Sequence, residues 1–149
     1  MAEQYTLIRA VWSEHKEQIK NVRKTVFVIE QGIDPEIEWD GRDHLCQHVI
    51  AFSPSGEPIA TGRLLPSGHA GRMSVLPSWR RKGIGGAILL KLVSIAQEGH
   101  LQQVYLNSQV RASDFYHKLN FVPEGPIFME AGIPHQRMRL LIGNQKRPQ

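Results

Sequence analysis

The segment Arg80-Arg81-Lys82-Gly83-Ile84-Gly85-Gly86-Ala87 places three cations and three glycines at the start of what reads as a long helix. The first four N–H groups of a helix have no internal acceptor, and the aligned peptide dipoles leave partial positive charge there. Glycine lets a ligand's oxygens come close to that backbone. The chemistry this combination suits is the grip of a diphosphate. Other phosphate loops fit poorly. A Walker loop needs Lys-Ser or Lys-Thr after its last glycine, and a dinucleotide fingerprint needs glycine or alanine at position 88, which is Ile88.

Charge is unevenly spread. No carboxylate lies between Pro58 and Gln97, a window that holds Arg63, Arg72, Arg80, Arg81, Lys82 and Lys91. Upstream, Glu30, Asp34, Glu36, Glu38, Asp40 and Asp43 crowd together against Arg42 alone. One reading is an anion held by the cationic stretch and a cationic amine drawn to the acidic one; the other is two solvated faces. His44 and His48 have the spacing of a helical zinc pair but fall in a loop and a strand, where that spacing loses its meaning, so no metal is expected. The lone Cys46 reads as a small buried thiol.

These residues must be carried by a compact frame. At 149 residues, 41% hydrophobic and 21% charged, the chain fits one globular domain over 1–149 and neither a disordered nor a fibrous protein. It has no apolar run of the roughly 20 residues that a membrane span requires and no signal-like start, so a cytoplasmic location is expected. Residues 5–11 read as a strand. Ser13 is placed to cap a helix with Ile19, Val22, Val26 and Phe27 on one face. Residues 30–44 read as irregular, and strands follow at 45–52, 59–65 and 70–76. A helix over 83–98 closes at Gly99; then come a strand at 104–107, a helix at 112–119, a strand from Phe121 and a last strand at 136–142. The order β-α-β-β-β-α-β-α-β-β predicts a mixed α/β sheet with helices on both faces. Exposed strands near 136–142 point to a homodimer. The polar tail, residues 143–149, reads as frayed; its Lys146-Arg147 pair is too little for nucleic-acid binding.

The turn Arg80-Arg81-Lys82-Gly83-Ile84-Gly85, after a strand and Val75-Leu76-Pro77, resembles the acyl-CoA signature Arg/Gln-x-x-Gly-x-Gly/Ala of the GNAT superfamily of N-acetyltransferases. The run from Gln109 through Ala112, Phe115, Tyr116 and Lys118 to Phe121 is similar to that family's Asn-x-x-Ala-x-x-Phe-Tyr-x-Lys-x-Gly-Phe. Val26-Phe27-Val28-Ile29-Glu30-Gln31 and Gly132-Ile133-Pro134-His135-Gln136-Arg137-Met138 extend the resemblance to its ElaA/YjcF-like group. Two positions depart: Gln109 stands for Asn, and Asn120 for Gly, an exchange that a left-handed residue tolerates.

The resemblance implies a twisted mixed sheet with a V-shaped splay, acetyl-CoA as donor and an amine as acceptor. It also implies that Met73, Ser74 and Val75 line a pantetheine channel, with the Val75 N–H polarising the thioester carbonyl. Gly86, Ala87, Gln109, Ala112, Phe115 and Lys118 join the turn as donor-contacting positions, with Phe115 expected in the core. The family's general acid corresponds to Tyr116. A base is needed too, because an alkylammonium has a pKa near ~10. Glu30, at the end of an apolar helix facing the presumed cleft, comes first, with His135, Glu130, Asp40 and His48 behind it. The competing reading is an acyl-CoA-binding sensor without catalysis, which release of CoA thiol with a panel of amines distinguishes.

Overall fold

Alternation along one strand decides the layers. Within Gln47–Phe52, Val49 and Ala51 are buried against one set of apolar residues, while Ile50 packs with Ala10 and Ile19 on the other side. A strand apolar on both faces requires a helix over each. The computed structural model, which describes residues 4–143, supplies them.

The elements are β1 (Thr6–Ala10), α1 (Trp12–Arg23), a π-helical extension (Lys24–Glu30), α2 (Pro35–Glu38), β2 (Gln47–Phe52), β3 (Pro58–Leu64), β4 (Ala70–Val75), α3 (Ile84–Glu98), β5 (Gln103–Gln109), α4 (Ser113–Lys118), β6 (Val122–Glu130) and β7 (Ile133–Leu141). Strands β1-β2-β3-β4 form one antiparallel sheet and β5-β7-β6 a second. A single parallel bridge, His69 to Tyr105, joins them, reinforced by the Tyr105 N–H donating to the Gly68 carbonyl at 3.0 Å. Beyond it β4 and β5 share no ladder. That is the expected splay, and the mixed character rests on this one bridge.

Helix α3 is apolar on the side facing the first sheet, where Ile84, Ile88, Leu89 and Leu92 are fully buried. It approaches β3 closely because position 62 is glycine: a Cβ there would lie 2.7 Å from Ile88 Cγ2. After Gly99, His100 takes the left-handed conformation (φ 60°), and the Leu101 N–H reaches back to the Ala96 carbonyl at 3.0 Å. Asn120 is also left-handed (φ 74°), as its substitution for glycine requires.

Four expectations are corrected. The first helix begins two residues earlier than a Ser13 cap implies: Val11 is the N-cap, with no side-chain cap, and its N–H donates to His15 Nδ1 at 3.0 Å. The irregular stretch contains α2, capped by Asp34, whose side chain accepts from the Glu36 N–H at 2.9 Å. Strand β7 is not an exposed edge, since β5 and β6 pair with it on both sides; the edge is β6, and Pro123 and Pro126 each remove a donor from it. Phe115 is 46% exposed and lies outside the core. Apart from Gly143, whose N–H donates to the Gln102 carbonyl, the basic tail lies outside the described residues. Among the described residues no helix is long and apolar enough to cross a membrane.

Candidate active site

A cleft of about 510 Å³ fills the wedge between β4 and β5. Met73, Gln109, Ala112, Tyr116, Glu130 and His135 all line it. Residues from the π-helical extension and the loop behind it, Phe27, Gln31 and Ile33, close one side.

The glycine turn lies further along, outside the residues that line this cleft. Pro77–Trp79 makes a single 3₁₀ turn, Arg81 and Gly83 adopt positive φ (65° and 82°), and Gly83 caps α3. The first intrahelical bond runs from the Ala87 N–H to the Gly83 carbonyl at 3.1 Å. The amides of Ile84, Gly85 and Gly86 therefore have no intrahelical acceptor, whereas that of Ala87 is used. Internal packing does not require glycine at 85: a Cβ there would meet only Val75 Cγ2, at 3.9 Å. Gly86 faces Phe115 Cζ, which a Cβ would touch at 3.6 Å, so the exposed ring lies beside the helix start. Arg81 and Lys82 are exposed in the turn, and Ile84 is buried in the core.

Along β4 the backbone groups alternate in direction. The Leu76 N–H reaches the Ile59 carbonyl of β3 at 2.9 Å, so the N–H and C=O of Val75 point the other way, to the unpaired edge. The Val75 carbonyl accepts from Arg80 Nε at 2.9 Å. Ser74 is turned away: its side chain is buried and its hydroxyl has no partner.

The Arg80 guanidinium also grips Glu30 through two bonds of 2.8 and 2.7 Å. Those bonds pull the Glu30 carboxyl below its ordinary range. Glu30 does not line the cleft. A carboxylate so held is a poor base, and the expectation that placed it first is corrected. His48 is buried beneath Trp12, rings 4.7 Å apart, and its Nε2–H donates to the Asp43 carbonyl at 2.8 Å. Asp40 accepts from both terminal nitrogens of Arg63 at 3.0 and 2.6 Å, which holds it well below the carboxylate range.

Tyr116 and His135 are better placed. The Tyr116 ring packs against Phe115 and Phe121, centroids 5.0 and 6.3 Å away, and burial raises its phenol. Its hydroxyl has no partner among the described residues and stays protonated at neutral pH. His135 Nδ1 lies 2.8 Å from the Ile133 carbonyl, which can only accept, so Nδ1 carries a proton and a neutral ring has its lone pair on Nε2. The ring stacks on Phe128 at 5.9 Å. Gln109 is opposite His135 in the ladder; its amide oxygen accepts from Arg111 Nε at 2.8 Å. Lys118 stands exposed on the last turn of α4.

The acidic stretch is tied inward. Arg23, 1% exposed, bonds Glu38 at 2.7 Å and Asp43 at 2.6 Å, and Arg63 bonds Asp43 at 2.9 Å. Arg72, left-handed at φ 49°, pairs with Glu38 at 3.2 Å and Asp40 at 3.4 Å. Three arginines thus answer Glu38, Asp40 and Asp43. Neither of the two charge readings, a lure for amines or a solvated face, describes these three acids.

The arrangement offers acceptor-less amides at a helix start, a free strand edge, and a cleft lined by the Tyr116 phenol and the His135 ring. Residues 13–142 match the family model described as an acetyltransferase (GNAT) domain. The N-acetyltransferase YjcF of Bacillus subtilis is 34% identical over 138 residues, covering 88% of this chain and 98% of that protein. Among solved structures, an acyl-CoA N-acyltransferase from Pseudomonas aeruginosa superposes with a TM-score of 0.79 at 27% identity, covering 93% of this chain and 99% of the other. Escherichia coli ElaA superposes at 0.78 and 23% identity, covering 92% and 98%, a likeness of fold. The chain belongs to the GNAT acetyltransferase family.

Proposed function

We propose that the protein, acting as one domain in the cytoplasm, transfers an acetyl group directly from acetyl-CoA to a primary amine. The observation that carries the donor side is Gly85. It is a glycine that internal packing does not demand, set among amides without acceptors and beside Arg81 and Lys82. A diphosphate approaching from outside gives a reason for the missing side chain.

The amine nitrogen attacks the thioester carbon, the C–N bond forms and the C–S bond breaks. His135 Nε2 takes the proton that the amine loses. Tyr116 gives its phenolic proton to the departing sulfur and regains one from solvent. The Val75 N–H, on the open edge of β4, stabilises the oxyanion. Support for His135 over Glu30 comes from its place in the cleft and from the Nδ1 bond to the Ile133 carbonyl, which turns Nε2 away from that bond.

Calorimetry with CoA and a thiol-release assay over a panel of amines test the reading. Gly85→Asp is expected to abolish CoA binding. His135→Gln should lower kcat/KM by roughly 10²-fold or more while CoA binding persists. Absence of any CoA binding by the wild-type protein would sink the donor assignment, and CoA binding without turnover of any amine would favour a sensor.

A further inference from the structure

Several guanidiniums around the cleft are matched to carboxylates. Arg63 and Arg72 pair with the 38–43 loop, Arg80 with Glu30, and Arg139 with Glu124 at 3.0 Å. Arg137 differs. Glu124 is its cross-strand neighbour but bonds Arg139 instead, and among the described residues no carboxylate reaches Arg137. Its guanidinium lies 4.1 Å from the centre of the Tyr105 ring. Tyr105 stacks in turn on His69, 4.8 Å away, and His69 lines the cleft. Two cleft residues therefore flank this exposed cation: Asn107, opposite Arg137 in the β5–β7 ladder, and His135, two residues before it on the same face.

At the other end of that row stands Glu130. It is exposed in the cleft, opposite Ile133 and on the His135 face, and among the described residues no cation reaches it. Carboxylate, imidazole and guanidinium thus follow one another along a single face of the β6–β7 hairpin. Alternate residues of a strand lie roughly 7 Å apart.

We infer that Arg137, held over the Tyr105 ring, is an anion subsite for the acyl acceptor, and that the preferred acceptor is an amine carrying a carboxylate or phosphate about 7 Å from its nitrogen. The ammonium enters beside Glu130, its nitrogen reaches His135 Nε2, and the anionic end takes the fork of Arg137. A stacked guanidinium suits this role because its N–H edge stays open for a bidentate bond while its face is fixed. Facing the subsite are Arg139, with its charge answered by Glu124, and the ring of His69, which burial and the nearby guanidiniums, Arg137 foremost, keep neutral. The inference rests on the proposed function, and matched acceptors separate the two.

Thiol release is measured with aminovalerate against pentylamine for a carboxylate, and with phosphoethanolamine against ethanolamine for a phosphate. The wild-type protein is expected to favour the anionic member of at least one pair by about tenfold or more in kcat/KM, the size of a charged hydrogen bond. Which pair shows the preference names the anion. Arg137→Gln should erase it by raising KM for the anionic amine, with the neutral amine unaffected. Equal use of both members in both pairs, or a preference that survives Arg137→Gln, overturns the subsite while leaving acetyl transfer intact. No turnover of any of the four amines overturns the subsite as well, and CoA binding then decides the parent reading.

Discussion

Arg80 and Glu30, fifty positions apart, hold each other through two parallel bonds of 2.7 and 2.8 Å. The same guanidinium bonds the Val75 carbonyl, so one side chain ties the glycine turn, the splayed strand and the end of the π-helical extension together. On the proposed function, an incoming diphosphate would compete with Glu30 for that cation.

Glu30→Gln removes the competitor. CoA is expected to bind about two- to fivefold more tightly, the modest range of an exposed pair. Calorimetry at low and moderate salt checks this, with the gain shrinking as salt screens the pair. A drop in turnover of 10²-fold or more at saturating CoA would instead restore Glu30 as the base.

Tyr116→Phe keeps the ring packed on Phe115 and Phe121 and deletes only the hydroxyl. Turnover should fall about 10²–10⁴-fold with CoA affinity unchanged. Because burial raises the phenol above its usual value of about 10, its deprotonation cannot limit the rate below that pH. An alkaline decline near neutrality that persists in Tyr116→Phe belongs to another group.

The buried network makes stability pH-dependent. Burial alone would raise Asp43, but Arg23 and Arg63 outweigh it and leave it low; Asp40 is lowered by the Arg63 bonds. Their contribution is present above the unfolded value of about 3.9 and is lost as pH falls through the depressed folded values. Burial lowers His48, so the unfolded chain takes up its proton first and stability already declines below about pH 6.5. Urea titrations should show a midpoint that falls from pH 7 to 5 and further below 4. A midpoint flat from pH 7 to 5 would contradict the His48 assignment, and one flat below pH 4 that of Asp40 and Asp43.

Arg23→Met leaves Glu38 and Asp43 short of their partner in the interior. The expected loss is about 3–5 kcal/mol, read from the denaturation midpoint. An unchanged midpoint would mean that water replaces the guanidinium.

Gly68→Ala strikes the closing point of the wedge. The residue has φ 99°, and a Cβ would run into the Gln103 carbonyl. Both the conformation and the clash oppose the substitution, so roughly 1–3 kcal/mol of stability should be lost. Donor binding should weaken with it, since β4 and β5 are fixed to each other there.

Local chemistry was legible in the sequence, and distant pairing was not. The cation-glycine cluster announced the start of α3, and Asn120 in place of glycine announced a left-handed residue. Both depend on neighbours within a turn. The partners of Glu38, Asp40 and Asp43 sit on α1, β3 and β4, and no spacing rule links such positions. The same holds for β7, whose central place depends on β5 and β6 closing around it. His135 was among the candidates, but its tautomer became readable only once the Ile133 carbonyl was located.

The unpaired margin of β4 has a thermodynamic corollary. A strand margin turned to solvent invites any passing peptide to add itself. Here it lies within a wedge that is pinned shut at His69 and Tyr105. A thin, amide-bearing chain can still thread it without first prying two strands apart. No free energy need go into opening the sheet.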